Sequence, residues 1–318
     1  MQVERIQPIA LDKEKAAQYA MQAINEQMGQ QPSKVKCLGG GSFGLAFSAQ
    51  LEDNSQIVVK FLRAKDMLEK EAFDLKLLGE SCSIKFPKVI FQRKSDEIIP
   101  VDCYAMSKIE GKSGFIASLP KLFISKRKKK EFADAVTSAL HEIHSRQNDK
   151  FGDTLYPNCD TWLDYYKPFA QAVIEKAEEL NQTNRLSKKI IAAMRDAWDK
   201  FDVIFCEEVK EACLIHGDLN LANIMVDKQF QVSGFIDPLN SAYADREYDL
   251  FQFDNLMGKR FSLRETYIQK YGASKNCDLK CAFYGLWNEV YCYIKSGVLV
   301  NIIMNPLVKN MNKLLAKL

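Results

Sequence analysis

Apolar residues recur along most of the chain with a helical period, and along one early stretch with the two-residue period of strands. Over residues 10–30, Ala17, Ala20, Met21 and Ile24 fall on one face of a helix that Pro32 would end. From Val35 to Arg63 the period shortens, and a strand, a glycine-rich loop, a second strand, an Asp53-Asn54 turn and a third strand are expected. Residues 64–80 return to the helical period through Met67, Leu68, Ala72, Leu75 and Leu78. Two strand-like runs after Pro87 (88–93 and 98–109) complete a five-stranded antiparallel sheet carrying one helix.

Beyond this point the chain turns helical. Residues 110–114 (Glu-Gly-Lys-Ser-Gly) read as a linker, and helices are expected over 125–146, 160–180 and 186–210. Ser125 is the expected N-cap of the first, which buries Phe132, Val136, Ala139, Leu140 and Ile143. A turn-rich segment at 213–250 interrupts the helices, which resume to the C-terminus with Gly272, Gly297 and Pro306 as punctuation and an amphipathic basic tail that docks on the domain. The pattern is α+β and bilobal, with 1–107 a sheet-based N-lobe, 108–114 a hinge and 115–318 a mainly helical C-lobe.

Composition narrows the classes without choosing among them. The 318 residues are 47% hydrophobic and 27% charged, with a net charge of +3 and a pI near 8.2. That balance is ordinary for a globular protein and too weak to indicate a nucleic-acid or membrane partner. The N-terminus lacks an apolar signal-like core, and no run reaches about 18 apolar residues, so a cytoplasmic location is expected. Nine cysteines, odd in number and without a Cys-x-x-Cys pair, read as reduced and mostly buried thiols. The basic run Lys126 to Lys130 reads first as a solvated helix start and second as a contact for an anionic partner.

Candidate chemistry concentrates in two places. Gly39, Gly40, Gly41, Ser42, Phe43 and Gly44 form G-x-G-x-F-G within the first hairpin, where glycines either cradle phosphate oxygens with backbone N–H groups or simply make a tight turn. Lys60, between apolar neighbours on the third strand, is either an exposed edge residue or an amine that grips phosphates. Its expected carboxylate partner is Glu71, with Glu69 as the second choice. Residues Tyr104 to Ile109, Met106 and Ile109 among them, are expected at the crevice, where they would face a purine edge. The second place holds His216-Gly217-Asp218, Asn223 and Asp237, whose three groups Asp218, Asn223 and Asp237 stand in a turn-rich setting where a phosphate, a divalent cation and a hydroxyl could meet.

Taken in order, G-x-G-x-F-G at 39–44, Lys60, Glu71, H-G-D-L-N-L-A-N at 216–223 and I-D-P at 236–238 resemble the protein-kinase-like superfamily. The branch they resemble is the aminoglycoside phosphotransferase and fructosamine kinase family, whose signature has H-G-D in place of H-R-D. The segment 244–250 is similar to the aminoglycoside enzymes, whereas I-D-P and the Trp162, Tyr165, Tyr166 region look more like fructosamine kinases. The resemblance implies ATP and Mg²⁺ as cofactors. It makes Asp218 the catalytic base and Asn223 and Asp237 the metal ligands, with His216 and Asp249 supporting the loop. The glycine loop, Lys60, Glu71, Met106 and Ile109 would bind the nucleotide.

Between Asp237 and Asp249 the chain has no A-P-E sequence and no room for an activation loop, so the expected partner is a small hydroxylated acceptor and not a peptide; the weak charge balance leads to the expectation of no nucleic-acid or membrane partner either. Asp245 and Glu247 are expected either to attract an amine of that acceptor or to sit in a solvated loop; Trp162, Tyr165 and Tyr166 either pack in the core or wall the cleft. A nucleotide-binding pseudokinase scaffold and a protein kinase are the alternatives. The first predicts loss of Lys60, Asp218, Asn223 or Asp237, and all four are present.

Overall fold

The structure, a computed structural model, describes residues 3–120 and 124–318. Helix α1 (Lys13–Met28) starts at Asp12, whose carboxylate accepts from the N–H groups of Glu14 and Lys15. It stops at Gly29, whose left-handed φ of 67° closes the helix before Pro32 is reached. Strands β1 (Lys34–Gly40), β2 (Gly44–Gln50), β3 (Gln56–Leu62), β4 (Val89–Arg93) and β5 (Cys103–Ser107) form an antiparallel sheet in the order β1-β2-β3-β5-β4, and α2 (Leu68–Glu80) follows β3.

The two-residue period divides the faces of this sheet. Phe47, Ala49, Val59, Phe61, Cys103 and Ala105 point one way and are buried under Ala16, Ala20, Ala23 and Ile24 of α1. Ala46, Val58 and Lys60 point the other way, into a cavity. The sheet therefore carries two helices, α1 on its outer face and α2 by the cleft. The small residues of α1 let that helix lie close on strands whose large side chains fill the gap.

The segment beyond β5 joins the lower half. Strand β6 (Lys112–Ser113) pairs with β10 (Ile224–Val226), which also pairs with β11 (Val232–Phe235). The short helix α3 is Gly114–Ser118, and α4 (Lys126–Ser145) is capped by Ser125, whose hydroxyl accepts from the Lys128 N–H. Its basic start is exposed at Lys126, Arg127 and Lys130 and half-buried at Lys128 and Lys129; Arg127 pairs with Glu131 and Lys130 with Asp134 along the helix, while Lys128 donates to the Gln229 carbonyl. Strands β7 (Gln147–Asn148), β8 (Gly152–Asp153), β9 (Ala212–Ile215) and β12 (Ala242–Ala244) make a second small sheet in the order β7-β9-β12-β8.

Helix α5 (Trp162–Gln182) begins in a capping box between Thr161 and Asp164. The helix expected over 186–210 is two, α6 (Lys188–Trp198) and the single turn α7 (Phe201–Ile204). The chain then passes through α8 (Glu247–Leu250) and α9 (Leu263–Tyr271) to α10 (Cys277–Ser296) and α11 (Asn301–Leu315). Pro306 lies inside α11, at its sixth residue, instead of ending it; the helix continues at the cost of the one backbone hydrogen bond the proline cannot donate. The tail helix packs on α10 and α6. A single large core of α4, α5, α6 and α10 side chains, with Trp287, Tyr166, Tyr284 and Phe283 fully buried, underlies the turn-rich segment. Only Cys103, Cys213, Cys277 and Cys281 of the nine free thiols are buried; Cys206, in the loop after α7, and Cys292, on α10, are exposed.

Candidate active site

Two adjoining cavities lie between the sheet and the helical half. The larger, about 900 Å³, runs from Gly39–Gly44 past Ala46, Val58 and Lys60 to Met106, Ile109, Met225 and Asp237. The glycine-rich segment is the tip of the β1–β2 hairpin, with only Gly41, Ser42 and Phe43 outside the strands. At Gly44 a Cβ would stand 3.0 Å from Cε of Lys60, so the missing side chain leaves room for the lysine stem.

Lys60 and Tyr104 are cross-strand neighbours on β3 and β5. Nζ of Lys60 lies 2.8 Å from Oε2 of Glu71 and 2.6 Å from Oδ1 of Asp237, while the Tyr104 hydroxyl donates to the same Glu71 oxygen at 2.9 Å. The pair thus falls to Glu71, which α2 turns inward and buries, and not to Glu69. Burial opposes the charge on Lys60, but the oxygen groups of Tyr104, Asp237 and Glu71 outweigh it and hold its pKa well above that of an ordinary lysine. Desolvation in the cleft likewise opposes ionisation of Asp237, whose side chain is nonetheless half-exposed, and the Lys60 ammonium overcomes it, so this carboxyl is held below the usual range.

The loop between β9 and β10 carries His216, Gly217, Asp218, Asn220 and Asn223. Asp218 is gripped from both sides: Asn220 Nδ2 donates to Oδ1 at 2.8 Å and Asn223 Nδ2 to Oδ2 at 2.9 Å. Burial, with the charge of Asp237 nearby, pushes the Asp218 pKa up to about 7, and the two amide donors only partly offset this. Asn223 spends its amide nitrogen on Asp218, and among the described residues nothing donates to its Oδ1. Its carbonyl accepts from Ile236 N at 3.0 Å, so the β10–β11 hairpin brings Asn223 beside Asp237. Asp237 has φ 56° and a half-exposed side chain on the cavity.

The loop is held from beneath by Asp249, fully buried on α8. Its carboxylate accepts from the backbone N–H groups of His216 at 2.8 Å and Gly217 at 2.7 Å, and approaches His144 Nε2 at 3.2 Å. His144 Nδ1 is 2.7 Å from the Tyr267 hydroxyl, which makes this histidine part of the support. Gly217 has φ 79°, and a Cβ there would stand 2.2 Å from the Leu239 carbonyl. His216 is buried, and burial lowers its pKa to about 4, so it is neutral. Its Nδ1 lies 3.3 Å from the Asp218 N–H.

The smaller cavity, about 340 Å³, is walled by Trp162, Tyr165, Tyr166, Tyr248 and Tyr291 and edged by Lys70, Asp74 and Asp153. The aromatic cluster fills both expected roles: Trp162 and Tyr166 stack with centroids 5.1 Å apart, buried, yet line the cavity with one edge. Asp245 and Glu247 fill neither of theirs. Both are buried beside Lys280 Nζ, at 2.6 and 2.8 Å, and the Tyr284 hydroxyl, itself accepting from Trp162 Nε1, donates to Asp245. The lysine that neutralises them sits on α10, far along the chain, where local sequence cannot show it. Lys280→Met is expected to cost roughly 3–5 kcal/mol, as for breaking one side of a buried pair, because it strands two buried carboxylates. Equilibrium denaturation measures it.

Sequence reasoning missed Tyr104 as the buried donor to Glu71 and Asn220 as the second grip on Asp218. The first was signalled only by its register with Lys60, and the second by an asparagine two residues after Asp218. Among the described residues no cluster of three or more His, Cys, Asp or Glu side chains forms a metal-binding group. No helix of the described residues is long and apolar enough to cross a membrane.

A family described as the phosphotransferase enzyme family matches residues 45–283. No curated protein matches the chain. Among solved structures, one from Thermobifida fusca described as a fructosamine-3-kinase is 17% identical, with a TM-score of 0.65 over 92% of this chain and 98% of that one. The ADP-bound aminoglycoside phosphotransferase APH(2'')-Ib is 18% identical, with a TM-score of 0.63 over 96% and 97%. A GDP complex of aminoglycoside 2'-phosphotransferase-IIIa is 15% identical, with a TM-score of 0.67 over 96% and 99%. At these identities the likeness is one of fold, the bilobal kinase-like arrangement.

Proposed function

Because this chain belongs to the phosphotransferase enzyme family and is a small-molecule kinase of kinase-like fold, we propose that it transfers the γ-phosphoryl group of ATP to a hydroxyl of a small acceptor, with Asp218 as the base. The observation that carries this reading is the run of contacts from Lys60 to Asp237 on the larger cavity, from the neighbouring Ile236 N–H to the Asn223 carbonyl, and from the Asn223 amide to the Asp218 carboxylate. The ADP and GDP in the two aminoglycoside enzymes support a nucleotide in the larger cavity.

Each role follows from what its group can do. The backbone of Gly39–Gly44 and the Lys60 ammonium would hold the phosphates, with Glu71 and Tyr104 fixing the lysine. Residues 106–109 line the deep end of the cavity, where backbone groups meet a purine edge. The free Asn223 oxygen and the open Asp237 carboxylate fit Mg²⁺, which takes few protein ligands and relies on phosphate oxygens for others. When bound, that ion supplies neutralising charge on the phosphates. Asp218 would accept the acceptor's hydroxyl proton at whichever carboxylate oxygen it turns away from its amide partners.

The acceptor would occupy the 340 Å³ cavity, whose aromatic walls suit a compact molecule. The structures of similar fold include ones described as a fructosamine-3-kinase and as aminoglycoside phosphotransferases, which makes ketosamines and aminoglycosides the first classes to try. ADP release measured over aminoglycosides, ketosamines, amino alcohols and sugars is expected to rise with one class. A flat response across all four, with Mg·ATP bound, would overturn the acceptor reading.

A further inference from the structure

Six residues line both cavities: Met67, Glu71, Leu239, Asn240, Tyr291 and Lys295. Glu71 is already paired with Lys60, which leaves Lys295 as the one cation among the six. It lies on α10, one turn beyond Tyr291, and its ammonium sits 5.0 Å from the Tyr291 ring centroid and 5.4 Å from that of Phe43 at the tip of the glycine-rich hairpin. No ion pair with a carboxylate is formed by Lys295 among the described residues, unlike Lys60, Lys70 and Lys280. The backbone around it is pinned, because the Ile6 N–H donates to the Lys295 carbonyl at 3.1 Å and Arg5 packs against Gly297.

A half-buried lysine with no carboxylate beside it costs free energy unless an anion completes its surroundings, and burial lowers its pKa accordingly. The place it occupies is the boundary that a phosphoryl group crosses between the two cavities. On the nucleotide side, Lys60 is already shared between Glu71 and Asp237, so the terminal phosphoryl oxygens would need a second cation as charge builds on them.

We infer that Lys295 is a second phosphate-binding cation, which contacts the terminal phosphoryl group of a nucleoside triphosphate under Phe43. This rests on the nucleotide reading above. It separates from that reading because Lys60 would serve the inner phosphates of di- and triphosphate alike, whereas Lys295 meets only the third.

Calorimetric titration of wild type, Lys295→Gln and Lys295→Arg with Mg·ATP and with Mg·ADP tests it. Loss of one charge-assisted contact is expected to weaken Mg·ATP binding by Lys295→Gln about tenfold, with Mg·ADP binding unchanged and Lys295→Arg recovering part of the loss. Equal binding of ATP by Lys295→Gln and wild type would overturn the inference, as would an equal loss for both nucleotides. A rise confined to the acceptor KM would overturn it too, assigning the lysine to an anionic acceptor. A wild-type protein that bound neither nucleotide would overturn the nucleotide reading itself and this inference with it.

Discussion

Asp218→Asn is expected to lower kcat by about 10²–10⁴, the range for removing a positioned general base, while nucleotide affinity stays that of the wild type. The amide keeps the side chain's shape, but it presents an N–H₂ group where Asn220 or Asn223 now donates to a carboxylate oxygen. One of those two bonds is lost and the proton acceptor with it. The pKa of about 7 at Asp218 sets the pH dependence. Below it the group is protonated and cannot accept the hydroxyl proton, so kcat/KM of the wild type should fall on the acid side with an apparent pKa near 7.

The same shift has a stability consequence of defined sign. Between the ordinary carboxylate range and about pH 7, the folded chain holds a proton at Asp218 that the unfolded chain has released. The site's contribution to stability therefore falls as pH rises through that window. Asp218→Asn removes the titration, so the inactive variant should be at least as stable as the wild type at pH 8. Denaturant melts at two pH values, beside steady-state rates, would show it; a variant both unstable and weak in nucleotide binding would place Asp218 in the scaffold.

The second large effect is expected at Asp249. Its carboxylate satisfies the N–H groups of His216 and Gly217 and faces His144, all without solvent. Asp249→Ala strands two buried donors, at about 1–3 kcal/mol each, so a loss of roughly 3–5 kcal/mol is expected. The loop that presents Asp218 should then loosen, and kcat should fall even where the variant is folded. Asp249→Asn keeps one acceptor oxygen and should fall between the two. Retention of wild-type stability and kcat by Asp249→Ala would show that the loop stands without this support.

Much of this architecture is legible locally, and the reasons are physical. Strand β3 shows its function because a lysine alternating with Val59 and Phe61 must face away from the core those two enter. Glu71 shows itself because α2 has a clear buried stripe on which that carboxylate falls. The H-G-D segment and the strand before Asp237 are set by turn chemistry within a few residues. What the chain hides is long-range neutralisation. Asp245 and Glu247 read as solvent or substrate groups until α10 brings Lys280 between them, and the acids then belong to the core. Lys295 is one more lysine on an amphipathic helix until Phe43 of the hairpin arrives above it. Helix ends are also decided locally but by single residues: Gly29 closes α1 ahead of Pro32, and Pro306 is absorbed into α11.

In the proposed reaction a phosphoryl group moves from the nucleotide to a small hydroxylated molecule at the Asp218 centre. Phosphorus NMR of a reaction with Mg·ATP and the acceptor class that raises ADP release tests it most directly. The predicted result is a phosphomonoester on the acceptor, growing in step with ADP and abolished in Asp218→Asn. ADP that accumulates only with inorganic phosphate, or a phosphomonoester formed equally by Asp218→Asn, would contradict it.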